Sequence, residues 1–253
     1  MRKESRAFEI GTEEWLAKTG GRLTIPQALA LSTQGLAQSA RERVGRSRPD
    51  RDESTRQAAR VAVARKELVI VLDTLRDRVI DRQGEALLNH ACRTYLLGAA
   101  LVSDENYRRV DHTAAAVAAL AHDDGLVLPS TPGNCFTTDS ASEVDAMMGQ
   151  IGGSHGSAAV ARAAVISHFQ PTLPMQASAD AQLVALGASA DVMGFGLRKL
   201  DRGLTQEVWQ EWPDLNFLAD VKKLLKRERA RAPRTRPGVL ARSGMPYLLR
   251  PSR

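Results

Sequence analysis

Apolar positions recur along this chain at helical spacing, with no alternating run long enough for a half-buried strand. Across residues 57–80, Val61, Val63, Leu68, Ile70, Val71, Leu72, Leu75 and Val79 form a broad apolar face, the recurrence expected of an amphipathic helix. The run LVIVL at 68–72 reads as a strand in isolation, but the surrounding Ala, Arg and Glu favour a buried helical turn. Further helical patterns cover 85–101, 113–121, 140–150, 157–168, 180–186 and 205–211, the last ended by Pro213. Breakers lie between them: 125–133 with two prolines, Gly152-Gly153, and Pro171 with Pro174. The pattern predicts an all-α helical bundle.

The ends read differently. Residues 1–56 resemble a helical adapter, with one short helix over 12–18 stopped at Gly20-Gly21. A second helix opens at Pro26 and carries Ala28, Leu29, Leu31 and Leu36 on its apolar side. Residues 41–55 are polar, charged and broken by Gly45 and Pro49, which marks a linker. The core is predicted over 57–220, and 221–253 is expected to be a basic tail.

Charge sharpens that division. Residues 221–253 hold eleven Lys or Arg against one acid, Glu228, so they carry +10; the chain totals +6, leaving residues 1–220 at −4. The basicity therefore belongs to the tail, where an anionic partner is one expectation and solubility the other. Aromatic residues make up only 4% of the chain while Ala and aliphatic residues dominate, which suits close-packed helices better than a sheet. Cys92 and Cys135 stand far apart, forming neither a disulfide framework nor a thiolate zinc cluster, and fit a reducing compartment. The first residues have no apolar signal-like stretch, and the small-apolar run at 114–121 is too short to cross a bilayer. A cytoplasmic protein with no membrane association is expected.

Five histidines all fall between 90 and 168. The segment ALAHDDGL at 119–126 ends a small-apolar helix in a His-Asp pair, which is costly to bury unless the carboxylate is compensated. A divalent cation compensates it directly by binding imidazole nitrogen and carboxylate oxygen together. A solvated helix C-cap with Gly125 explains the same residues. Upstream, His90 sits within the apolar helix LLNHACRTYLLGAALV; alone it reads as a core histidine, but two helices each delivering a histidine favour a metal site. His112 reads as a surface residue near a helix start. His155, among glycines, reads as part of a loop because the Lys-Ser/Thr of a phosphate loop is missing.

Read as a series, these segments resemble HD-domain metal-dependent hydrolases, and specifically proteins similar to cyanamide hydratase. The resemblance rests on N-H-x-x-R-T-Y-L-x-G at 89–98, His122-Asp123-Asp124-Gly125-Leu126, the Phe136 to Ala141 segment, Ala164-Val165-Ile166-Ser167-His168, and Gly187-Ala188-Ser189-Ala190-Asp191-Val192-Met193-Gly194. It covers about residues 80–220 in order. It implies one divalent metal, zinc foremost with Mn, Fe or Ni as alternatives, held by His90, His122, Asp123 and Asp191. It also implies a metal-activated water as nucleophile, with Asp124 as a carboxylate able to move protons. Arg93, His168, Phe136 and Thr137 are implied as substrate contacts, with pairing to a ligand carboxylate as the other reading of Arg93.

Three departures bear on the substrate. Asp124 stands where the family has an apolar residue, Cys135-Phe136-Thr137 stands where it often reads R-F-E, and no lysine follows the His-Asp pair closely. A small nitrile-like or phosphoester substrate is expected. The alternatives are a non-catalytic module of the same shape that binds nucleotide, nucleic acid or protein, and a di-iron oxygenase using His155 and His168.

Overall fold

The computed structural model describes residues 9–44, 48–128, 132–173 and 177–244. It is all-helical; among the described residues the only β contact is an isolated bridge between Arg22 and Thr235. The elements are α1 (Glu13–Thr19), α2 (Ile25–Val44), α3 (Arg51–Gln83), α4 (Glu85–Leu101), α5 (Asp104–Tyr107), α6 (His112–Ala121), α7 (Asp124–Val127), α8 (Phe136–Gln150), α9 (His155–Ser167), α10 (Ala179–Met193), α11 (Arg202–Glu211), α12 (Phe217–Arg231) and α13 (Arg236–Arg242). No helix among the described residues is long and apolar enough to cross a membrane.

The core is built around α6. Ala114 through Ala121 are all buried, and α3, α4, α8, α9 and α10 pack around them. Small side chains let five helices approach one closely. The central helix therefore ends, at His122, in the middle of the protein. A second close approach joins α10 to α4: a Cβ on Gly187 would stand 1.7 Å from the Thr94 carbonyl oxygen, and one on Gly98 2.2 Å from that of Leu183. This crossing lays the Gly187–Gly194 motif along the helix that carries His90.

Several boundaries depart from the sequence reading. The LVIVL run is helical, with Leu68, Val71 and Leu72 buried and Val69 and Ile70 exposed. Much of the expected 41–55 linker is helix, because Asp50 caps α3 by accepting from the Glu53 backbone N–H at 2.8 Å. The α10 helix continues past 186 to Met193, so Asp191 is a helical residue.

The two ends are part of the fold. Trp15, Leu16, Leu23 and Leu31 join the main core, so the described part of the expected helical adapter packs on the bundle. The 221–253 tail is corrected over its described part: α12 buries Phe217, Val221, Leu224 and Leu225 against Leu87 and Val192, and α13 sends Val239 and Leu240 into the main core. Glu228 accepts the Phe136 backbone N–H at 3.0 Å. Arg236 is buried, donates to Thr137 Oγ1 at 2.9 Å and Ile166 O at 2.7 Å, and lies over the Trp15 ring. Lys222, Lys223, Lys226, Arg227 and Arg229, counted as part of a tail, are the exposed face of α12. The rest of the expected tail, from residue 245 on, lies outside the described residues.

Candidate metal centre

Two helices end at the same place in the same way. His122 is the C-cap of α6 and His168 the C-cap of α9. Each folds its ring back so that Nδ1 lies 2.6 Å from the carbonyl three residues earlier, Ala119 O and Val165 O respectively. A carbonyl only accepts, so Nδ1 carries the proton in both rings and Nε2 is left with its lone pair. His90, on α4, reaches the same outcome by another route: its Nδ1 lies 2.7 Å from Asp191 Oδ2, and its Nε2 faces inward.

The three inward nitrogens meet Asp123. His90 Nε2 is 3.1 Å from His122 Nε2, 3.6 Å from Asp123 Oδ2, and His122 Nε2 is 3.5 Å from that same oxygen. These atoms converge as a buried group that could hold a divalent metal ion. The spacing suits one: metal–ligand bonds of about 2.0–2.1 Å at a tetrahedral angle put two donors roughly 3.4 Å apart. Two bare imidazole nitrogens 3.1 Å apart also repel unless a proton or a cation lies between them. On the other side of the carboxylate, His168 Nε2 is 3.8 Å from Asp123 Oδ1 and has no hydrogen-bond partner although it is buried. An orphaned buried nitrogen of this kind calls for an occupant.

Electrostatics fit that reading. Burial drives the His168 imidazole down to about 3, and His122 adds to the effect; burial likewise lowers His122. Both rings are therefore neutral near pH 7 and available as donors. Burial works to raise the Asp123 carboxyl, while positive charge among His122, His90 and His168 lowers it and wins, so a cation shared by these rings favours the ionised carboxylate.

Asp191 stands one step behind. Its Oδ2 accepts from His90, while Arg93 clamps it with Nε to Oδ1 at 2.7 Å and Nη2 to Oδ2 at 2.9 Å. It lies outside the converging group of His90, His122 and Asp123. As placed, it orients a donor from behind, whereas the sequence reading put it in the four-ligand set. Burial works to raise its carboxyl, and the bonds from His90 and Arg93 override that and hold it below the ordinary range. Arg93 gives Nη1 to the carbonyls of Trp212 and Pro213, at 2.8 and 3.1 Å, and its Nη2 also lies 3.8 Å from Asp214 Oδ1. It is thus held by the Asp191 carboxylate and the 212–214 segment and does not line the cleft.

The other expected contacts also move. Asp124 turns away from the cluster toward α3 and accepts from Gln83 Nε2 at 2.5 Å, which removes it from any proton transfer at the centre. Phe136 and Thr137 are fully buried behind His168: the Phe136 ring meets the His168 ring edge-on at 5.8 Å, and Thr137 donates to Cys135 Sγ. Neither can touch a substrate. His112 is half-buried, its Nδ1 3.0 Å from the Tyr95 hydroxyl. His155 is exposed at the start of α9 and takes no part.

The sequence reading missed Phe217, whose ring stacks on His90 at 4.1 Å and 12°. The signal was present as the spacing Phe217, Val221, Leu224, Leu225, which puts one apolar face on α12. His90, His122, Asp123 and His168 together floor a cleft of about 890 Å3, mouth included, that opens between α2, α12 and α13. No protein-family model and no curated protein matches the chain.

Proposed function

We propose that this protein is a metal-dependent hydrolase or hydratase of the HD-domain kind, with His90, His122 and Asp123 holding the metal and His168 as a further donor. The observation that carries the reading is the convergence of three imidazole Nε2 atoms on one buried carboxylate, each ring's Nδ1 already engaged on its far side. A structural cluster has no need to leave the buried His168 nitrogen without a partner. Nitrogen and carboxylate donors without thiolate suit zinc first, and Mn, Fe or Ni as well.

A divalent metal bound there supplies Lewis acidity, polarising a substrate and lowering the pKa of water. The chain's own residues prepare the site for it. Asp191 and Arg93 fix the tautomer and tilt of His90, and Phe217 holds the ring plane from the other side. The Ala119 and Val165 carbonyls do the same for His122 and His168. Asp123 presents one oxygen to each side of the cluster. The reaction expected is addition of water across a nitrile-like carbon–nitrogen bond, or hydrolysis of a phosphoester in which water displaces the alcohol. The buried free thiols Cys92 and Cys135 suit a cytoplasmic location, and any anionic partner meets the exposed Lys222, Lys223, Lys226, Arg227 and Arg229 on α12.

The test is metal analysis of purified full-length protein, followed by assay on nitriles, cyanamide and phosphoesters. One metal per chain is expected, absent in His122→Ala together with all activity. Protein that takes up no metal sinks the proposal. Metal-replete protein that is inactive across the panel, yet binds nucleotide or nucleic acid in a salt-dependent way, replaces it with a binding module.

A further inference from the structure

The walls of the cleft differ in kind from its floor. Leu36 of α2, Leu126 of α7, Phe169 after α9, Val192 of α10, Leu225 of α12 and Leu240 of α13 face the space above the donor cluster. Half of these come from α2, α12 and α13, which wrap over the central bundle. The polar lining is neutral, from groups such as Ser39, Gln170 and Ser189. Among the described residues that line the cleft there is no Lys or Arg, and Asp123 is the only acid.

Neither of the two buried arginines nearby lines the cleft, and the Nη groups of both are held by other residues, although Arg236 Nε has no partner. Arg93 is held by Asp191 and two carbonyls, and Arg236 by Thr137, Ile166 O and the Gln170 side chain. An anionic substrate entering this cleft would leave water for apolar walls, a large cost unless the charge is paired. The metal's own charge, partly offset by Asp123, would be the only compensation. An uncharged body meets no such penalty and gains the burial of its apolar surface.

We infer that the substrate is an uncharged small molecule with an apolar body, whose single polar end reacts at the metal. Phosphoesters and nucleotides are thereby disfavoured. The inference rests on the metal-centre reading for the reacting end, but the preference of the walls is a property of the chain itself. Leu36, on a helix read from sequence as an adapter, then becomes a specificity residue.

Calorimetric titration of the metal-loaded full chain with aceto-, hexano- and octanohydroxamate tests the body. These probes carry a metal-binding head and a graded apolar tail. Affinity is expected to rise by up to about fourfold per enclosed methylene. Leu36→Arg, an exposed position apart from the metal-holding residues, should weaken octanohydroxamate about tenfold and leave acetohydroxamate unchanged. Titration of metal-stripped protein with octanamide and octyl phosphate tests the charge, with octanamide expected to bind at least tenfold tighter. A flat chain-length series, or octyl phosphate binding as tightly as octanamide, overturns the inference. If the protein takes up no metal, the metal-centre reading fails by that measurement, while the amide against phosphate comparison still decides the character of the cleft.

Discussion

Asp191 accepts the Nδ1–H of His90 at 2.7 Å and is itself gripped at both oxygens by Arg93. The carboxylate thus fixes which nitrogen of His90 is bare and where that nitrogen points. A partner of this kind tunes a ligand without being one, and its loss typically weakens metal binding about 10–100-fold. Asp191→Ala is therefore expected to weaken metal affinity by that factor, measured by chelator competition. His122→Ala should abolish binding. Equal, complete loss in both variants would make Asp191 a ligand.

The stack of Phe217 on His90 ties the C-terminal helices to the metal centre. Removing a buried phenylalanine costs about 3–5 kcal/mol from the cavity it leaves. Phe217→Ala should lower the melting temperature markedly and weaken metal binding as well, because His90 loses its support. Ending the chain at residue 216 should leave no cooperatively folded protein, since Leu225, Glu228, Arg236 and Leu240 go with it. A truncated protein with unchanged melting and metal content would return 221–253 to the status of a tail.

How far the sequence could be read is decided by which signals compete. The His90 helix and the His122-Asp123 pair were legible because a buried histidine beside a carboxylate has few inexpensive explanations. The role of Asp191 was not, since a ligand and a hydrogen-bond partner of a ligand both require convergence on the same point and differ only by one layer. Phe136 and Thr137 lie in the right motif but on the far side of His168, which spacing alone cannot distinguish. In α12 the eye followed the charge. Lys222, Lys223, Lys226 and Arg227 hide an apolar stripe at Phe217, Val221, Leu224 and Leu225 that periodicity would have revealed. The leucines of α2 were recognised as a helix face, but what covers a face depends on contacts far away in sequence.

Backbone proximity at the α4–α10 crossing predicts opposite effects for two glycines. A methyl group at Gly187 would run into the Thr94 carbonyl, while one at Gly149, near the end of α8, meets nothing within 4 Å. Gly187→Ala should therefore push α10 off α4, one turn before Asp191, costing about 1–3 kcal/mol and weakening metal binding. Gly149→Ala should stabilise by about 0.5–1 kcal/mol, through reduced freedom of the unfolded chain and better helix propensity, with metal binding unchanged. Thermal and denaturant unfolding of the two variants decides this, and equal effects would contradict the packing described.

Glu228 gives a pH dependence with a definite sign. Burial raises its carboxyl above the ordinary value of 4.5, against the opposing pull of Arg231 and of the Phe136 N–H, while Asp139 adds to the rise. A carboxyl that is harder to ionise when folded favours the folded state at low pH, where both states hold the proton. That contribution is lost as pH climbs from 4.5 through the raised folded value. Glu228→Gln keeps an oxygen for the Phe136 N–H and cannot ionise. Relative to the wild type, the variant should therefore gain melting temperature as pH rises from about 4.5 to 7.5, with the difference levelling off once Glu228 is fully ionised. Paired unfolding curves across that range provide the check. A gain that appears instead as pH falls would mean that the ion pair with Arg231 outweighs burial, and that Glu228 holds α12 in place as a charge.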